Sequence, residues 1–115
     1  MFVVTNRIPV AKGREADFEA RFRDRAGLVD RSPGFIRNCI LKPIQRRKNR
    51  ETGQMEELQE QGYYLVQTWW ATEQDFWSWT QSDSFRQAHA SRPDPAMFAG
   101  ANQLETHELV FDTEK

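Results

Sequence analysis

Residues 63–70, YYLVQTWW, constrain the fold more than any other stretch of this chain. Aromatic and β-branched side chains follow one another without a glycine or proline, which is the composition of a pleated strand. A strand of this kind needs partner strands and a layer to cover it, so the remaining segments can be read for what they supply.

They supply three further strands and two helical units. FVVTNRIPV, residues 2–10, alternates and places Phe2, Val4, Asn6 and Ile8 on one face, with Val3, Thr5, Arg7 and Pro9 on the other. Lys12-Gly13 turns the chain. In READFEARFRDRAGLVD, the residues Phe18, Phe22, Arg25 or Ala26, and Val29 recur at spacings that make one helical stripe. Ser32-Pro33-Gly34 ends that helix, and FIRNCILKPI (35–44) reads as a second strand. After YYLVQTWW, Thr72 is an N-cap with Asp75 three residues on. Ser82-Asp83 is a second cap, so the spacing predicts a helix that breaks there and a short new one carrying Phe85 to His89. LETHELVFD (104–112) reads as the last strand. The order β-α-β-β-α-β predicts an α+β, ferredoxin-like antiparallel sheet with helices on one face. The other face, with Val3, Thr5 and part of YYLVQTWW, would be bare without a partner and predicts a dimer.

The length of 115 residues fits one domain over 1–115. Residues 43–61 are its most polar part, basic in the first half and acidic in the second. A hairpin turning near Thr52-Gly53 would set Arg46, Arg47 and Lys48 across from Glu56, Glu57 and Glu60. The formal net charge of −1 gives no support for nucleic-acid binding. No apolar run approaches the ~20 residues of a membrane span. The N-terminus has no basic stretch ahead of its apolar residues, so it does not read as a signal peptide. The single cysteine, Cys39, forms no internal disulfide, and a cytoplasmic setting is the expectation.

Three residues stand out chemically. His89 ends the short second helix; the plain reading is a surface imidazole suited to a helix C-terminus, the other an axial ligand for haem iron. Trp79 packs on the sheet in the plain reading. A break at Ser82-Asp83 would instead let it converge with His89 on one cavity, which ten residues of unbroken helix, about 15 Å long, would not. Asn6 is an amide on an apolar strand face, either bonding to a nearby loop or held toward a ligand. Arg21 and Arg25 lie one turn apart and are solvated unless a pocket opens beside them. The other tryptophans, Trp69, Trp70 and Trp77, fall on different faces and read as core or interface.

TNRIPVAKGREADFEARFRDRAG, SPGF and TWWATEQDFWSWTQSDSFRQAHA together resemble the IsdG-type haem-degrading monooxygenases of the antibiotic biosynthesis monooxygenase (ABM) superfamily. The resemblance covers nearly the whole chain apart from roughly 43–61. It implies a dimeric α+β barrel and an Asn–Trp–His triad, matched here by Asn6, Trp79 and His89. It also implies that His89 binds haem iron axially, that Trp79 presses the porphyrin out of plane, and that Asn6 hydrogen-bonds toward the distal side. Haem is then both cofactor and substrate, and O2 and an external electron donor, a reductase or reductant, are required. Phe22 and Phe76 would be pocket walls, with Arg21 or Arg25 near the propionates. The long polar insertion departs from the family, and Trp69 and Trp77 are extra aromatics beside the pocket. Two other readings remain: a cofactor-free ABM monooxygenase acting on a quinol or polyketide aromatic, and a non-enzymatic haem-binding dimer.

Overall fold

Strand β1 (Phe2–Ile8) runs through the middle of the sheet, and its alternation decides which side chains reach the helices. The computed structural model spans residues 1–115 and describes all side chains except those of Arg25 and Ala26. The chain continues through α1 (Glu15–Val29), β2 (Phe35–Leu41), β3 (Arg46–Lys48), β4 (Met55–Glu57), β5 (Tyr64–Trp70), α2 (Glu73–Thr80), α3 (Asp83–Ala88) and β6 (Gln103–Glu108). The main sheet has the order β2-β5-β1-β6, with every neighbouring pair antiparallel, which is the ferredoxin-like arrangement. Val4, Asn6 and Ile8 turn to the helical side, Val3 and Thr5 to the other. The last strand stops at Glu108, four residues short of the span its alternation predicts.

The sheet is not regular along β2. The pairing with β5 slips between Phe35 and Arg37, so that Phe35 stands opposite Trp70, Arg37 opposite Trp69, and Asn38 opposite Thr68. One extra residue reverses the alternation. Phe35 faces the helices with Trp70, and beyond the bulge it is Asn38 and Ile40, not Cys39, that share that face.

Gly34 makes the entry to β2 possible. Its φ of +79° is a conformation that other residues adopt only with strain. A Cβ there would also run into the carboxylate of Asp75, and the Gly34 carbonyl accepts from the Ala71 N–H at 2.8 Å. The loop before β2 is thereby held against the start of α2.

Between β2 and β5 the chain forms the separate hairpin β3–β4, with Gly53 at φ +75° in its turn. Arg46 stands opposite Glu57 and Arg47 opposite Glu56, the latter pair 3.4 Å apart. Lys48 lies opposite Met55 and not a carboxylate, because the register that sets Arg46 against Glu57 brings residue 55 to it. Glu60 lies outside the ladder.

The apolar interior falls into two clusters. Ile8, Val10, Phe18, Tyr64 and Met97 form one, with Phe22, Val66 and Phe98 against it. Val4, Val29, Trp70 and Phe76 form the other, with Phe2, Phe35 and Trp79 against it. Proteins ordinarily fill their interiors to crystal-like density, so a core in two parts leaves room between them. At the margin of the first cluster the Tyr64 hydroxyl donates to Glu19 at 2.6 Å. Burial and then the Glu19 contact push the Tyr64 phenol well above its usual range. The same hydrogen bond, aided by Lys42 and Arg23, holds the Glu19 carboxyl below the usual carboxylate range.

Candidate active site

A cavity of about 480 Å³ lies between the two core clusters, roofed by α1, α2 and α3 and floored by the sheet. That volume falls within the ~300–1,000 Å³ of small-molecule sites. Asn6 on β1, Trp79 on α2 and His89 at the end of α3 all line it, as do Arg21, Phe22 and Phe76. The side chain of Arg25 lies outside the described residues.

The joint between α2 and α3 brings Trp79 and His89 together. Thr72 caps α2: its Oγ1 accepts from the Asp75 N–H at 3.2 Å, and its hydroxyl donates to the Asp75 carboxylate at 2.9 Å. Ser82 then serves two helices at once. Its hydroxyl donates to the Trp79 carbonyl at 2.6 Å, and its oxygen accepts from the Phe85 N–H at 3.1 Å. The chain changes direction there, so the indole and imidazole centroids lie 6.2 Å apart. Removing this cap in Ser82→Ala is expected to cost about 1 kcal/mol. A thermal melt checks it: the transition should fall by a few degrees, and an unchanged melt would mean that packing alone sets the joint.

His89 is positioned from below by its own helix. The Phe85 carbonyl accepts from the His89 backbone N–H at 3.1 Å and faces the ring Nδ1 at 2.8 Å. A carbonyl only accepts, so Nδ1 is the donor in this contact, and in the neutral imidazole the lone pair is then on Nε2. The imidazole also stacks on the Phe85 ring, centroids 4.1 Å apart at 30°. Phe85 meets Trp79 edge-on at 4.8 Å, and Trp79 rests on the fully buried Trp70 at 5.7 Å. His89, Phe85, Trp79 and Trp70 thus form one aromatic column running from the cavity edge to the core.

Polar atoms without partners mark the same space. Among the described residues, the Asn6 Oδ1, Asn38 Oδ1 and Trp79 Nε1 atoms are buried and have no hydrogen-bond partner in the protein. Leaving such an atom unpaired costs roughly 1–3 kcal/mol, so a ligand or water with polar groups is expected against them. Arg21 donates to the Ser91 carbonyl at the rim, tying α1 to the segment after α3.

Asn38, Thr68 and Phe85 line the cavity without having been singled out for it, and Trp77, named as an extra aromatic beside the pocket, lines it too. The bulge hides Asn38, because simple alternation from Phe35 turns it the other way. Trp77, read as core or interface, is 41% exposed at the cavity rim, its indole N–H bonded to Glu73 at 2.9 Å. Trp70 is core, and Trp69 lies on the opposite sheet face beneath Arg37.

An imidazole with a defined lone pair, set beside stacked aromatics in an apolar cleft, suits a flat metal-bearing ligand. The protein is thus of a class in which a ferredoxin-like sheet and its helices enclose an aromatic ligand cavity. The chain belongs to the antibiotic biosynthesis monooxygenase family, whose profile matches residues 1–91. It is 37% identical over 92 residues to the staphylobilin-producing haem oxygenase of Staphylococcus haemolyticus, a match covering 80% of this chain and 76% of that one. It is 30% identical over 110 residues to the mycobilin-producing haem oxygenase of Mycobacterium tuberculosis, covering 96% and 90% of the two chains. The solved structure of the haem-degrader MhuD from Mycobacterium tuberculosis, with two haems bound in its active site, matches with a TM-score of 0.74 at 26% identity. That match covers 99% of this chain and 100% of the other.

Proposed function

We infer that the chain is a haem-degrading monooxygenase, which binds haem in the cavity between sheet and helices and opens the macrocycle to release iron. The observation that carries this reading is the meeting of Asn6, Trp79 and His89 on one cavity, in a chain 37% identical to a haem oxygenase.

The residues fit the group. His89 offers Nε2 as the axial donor, its ring held by the Phe85 carbonyl. Trp79, backed by Trp70, would be a rigid surface against the macrocycle. Asn6 projects a carboxamide from the sheet floor, positioned to hydrogen-bond to what occupies the distal side. Phe22 and Phe76 are apolar walls, and Arg21 adds positive charge at the rim for the acidic edge of haem. Haem iron supplies the means of using O2 when the group is bound. Electrons come from an external reductant.

The other face of the sheet supports a homodimer. Val3 and Thr5, expected to be bare there, are covered by their neighbours within the chain. Val110 and Phe111, beside that face, are 92% and 80% exposed, and the buried Trp69 Nε1 has no partner among the described residues. Apolar exposure of this kind suits a second copy. No described helix is long and apolar enough to cross a membrane, and we place the protein in the cytoplasm on its single cysteine.

The test is a hemin titration of the purified protein, followed by ascorbate in air. A saturable Soret band that then bleaches, with release of chelatable iron, is the expected result. Binding without bleaching would leave a haem-binding module. Absence of saturable binding would overturn the reading in favour of a cofactor-free monooxygenase.

A further inference from the structure

Asn38 has no structural task that the described protein reveals. It stands on the inward face of β2 only because of the bulge, its Oδ1 buried and without a donor. Rotating the amide by half a turn would place its NH2 at the same spot, so the position offers either a donor or an acceptor to the cavity. Thr68, its neighbour across the β2–β5 pairing, accepts from the Trp70 indole at 2.9 Å, and its own hydroxyl hydrogen remains to be donated. Asn6 lies two strands away and one pleat repeat along, which separates the two backbones by roughly 12 Å. The floor therefore carries two amides at opposite sides of one cavity.

What lies behind Asn38 indicates the group it faces. Asn38 and Phe22 form the wall shared with a smaller groove that holds Lys42, Arg23 and Glu19. Glu19 is engaged three times over, by Tyr64 at 2.6 Å, Lys42 at 3.6 Å and Arg23 at 3.7 Å. Lys42 and Arg23 put positive charge behind the wall, offset in part by Glu19 and by Glu15, which is near enough to act on Tyr64. On haem, the hydrogen-bonding groups of the periphery are its two carboxylates.

We propose that Asn38 is a substrate-contacting residue whose amide, with the Thr68 hydroxyl beside it, hydrogen-bonds to a carboxylate of bound haem and so fixes which way round the macrocycle lies. The proposal rests on the haem-degrading reading. It adds a contact on the sheet floor, distinct from the imidazole and from the arginine at the rim.

The experiment compares hemin with hemin dimethyl ester, which lacks the acidic groups, on the wild type, Asn38→Leu and Asn38→Asp. Soret titration gives each affinity, and a thermal melt without ligand checks the fold. Asn38→Leu is expected to bind hemin about tenfold or more weakly and the ester as the wild type does. Its melt should match or exceed that of the wild type, because a buried carbonyl without a donor has been removed. Asn38→Asp keeps the shape of the side chain and sets like charges together, so it should discriminate against hemin further and spare the ester. Equal hemin binding by all three proteins overturns the proposal and leaves the haem reading standing. So does a loss that is the same for hemin and ester and accompanied by a lower melt, which would make Asn38 a packing residue. A wild type that binds no hemin overturns both.

Discussion

Replacing His89 with alanine is expected to reduce hemin affinity by at least about 100-fold, with ascorbate-driven bleaching lost at hemin concentrations that saturate the wild type. Loss of a residue that merely orients a metal ligand typically costs 10–100-fold, so loss of the ligand itself should cost no less. The fold should survive. His89 is exposed, it follows the last turn of α3, and its backbone N–H contact to Phe85 remains in the variant. A melt within a few degrees of wild type would separate ligand loss from unfolding. Free imidazole enters the space the side chain leaves, and should partly restore the Soret band of the bound form. A variant that binds and bleaches like wild type would remove His89 from the iron and reopen the choice of axial donor.

Trp70→Ala carries the largest expected loss of stability. Trp70 is fully buried and meets Phe35 at 5.6 Å, Phe76 at 5.9 Å and Trp79 at 5.7 Å between ring centroids. Emptying a site of that size costs about 3–5 kcal/mol, against a total stability of about 5–15 kcal/mol for an ordinary domain. The melting transition should fall by roughly 10 °C or more. Chemical denaturation should show a lower midpoint with an unchanged slope, the mark of lost stability and not of an altered unfolded state. Trp70→Phe should recover part of the loss in stability. Because Trp79 rests on Trp70, the alanine variant should also bind hemin less tightly than its remaining folded fraction explains. A midpoint close to wild type would mean that the second core cluster is supported chiefly by Phe35 and Phe76.

Much of this was legible in the sequence, for reasons that differ residue by residue. The alternation of FVVTNRI placed Asn6 with Val4 and Ile8 because a strand without a bulge has a period of two. Thr72 and Ser82 announced two helix starts because side-chain oxygens that satisfy orphan N–H groups are specific to such positions, and the break between them put Trp79 and His89 within reach of each other. Asn38 was not legible, because the bulge between Phe35 and Arg37 has no glycine to mark it and it reverses the face. Nor was the closure beyond α3 legible. There Asp94 caps a short turn over Pro95–Met97, and Val10 pairs with Phe98 in an isolated bridge. Contacts of that kind depend on which segments meet across 88 residues of chain, not on local preference. Helical periodicity left Trp77 between core, interface and pocket for a related reason: it gives a direction, and only the packed neighbours decide that this direction is the cavity rim.

The two-residue joint between α2 and α3, Gln81 and Ser82, has a mechanical consequence. Indole and imidazole do not ride on one rigid rod. They sit on two short arms pinned at Ser82, as the jaws of a calliper are pinned at its hinge. Their gap is therefore set at this joint and held by Phe85, which packs against both rings.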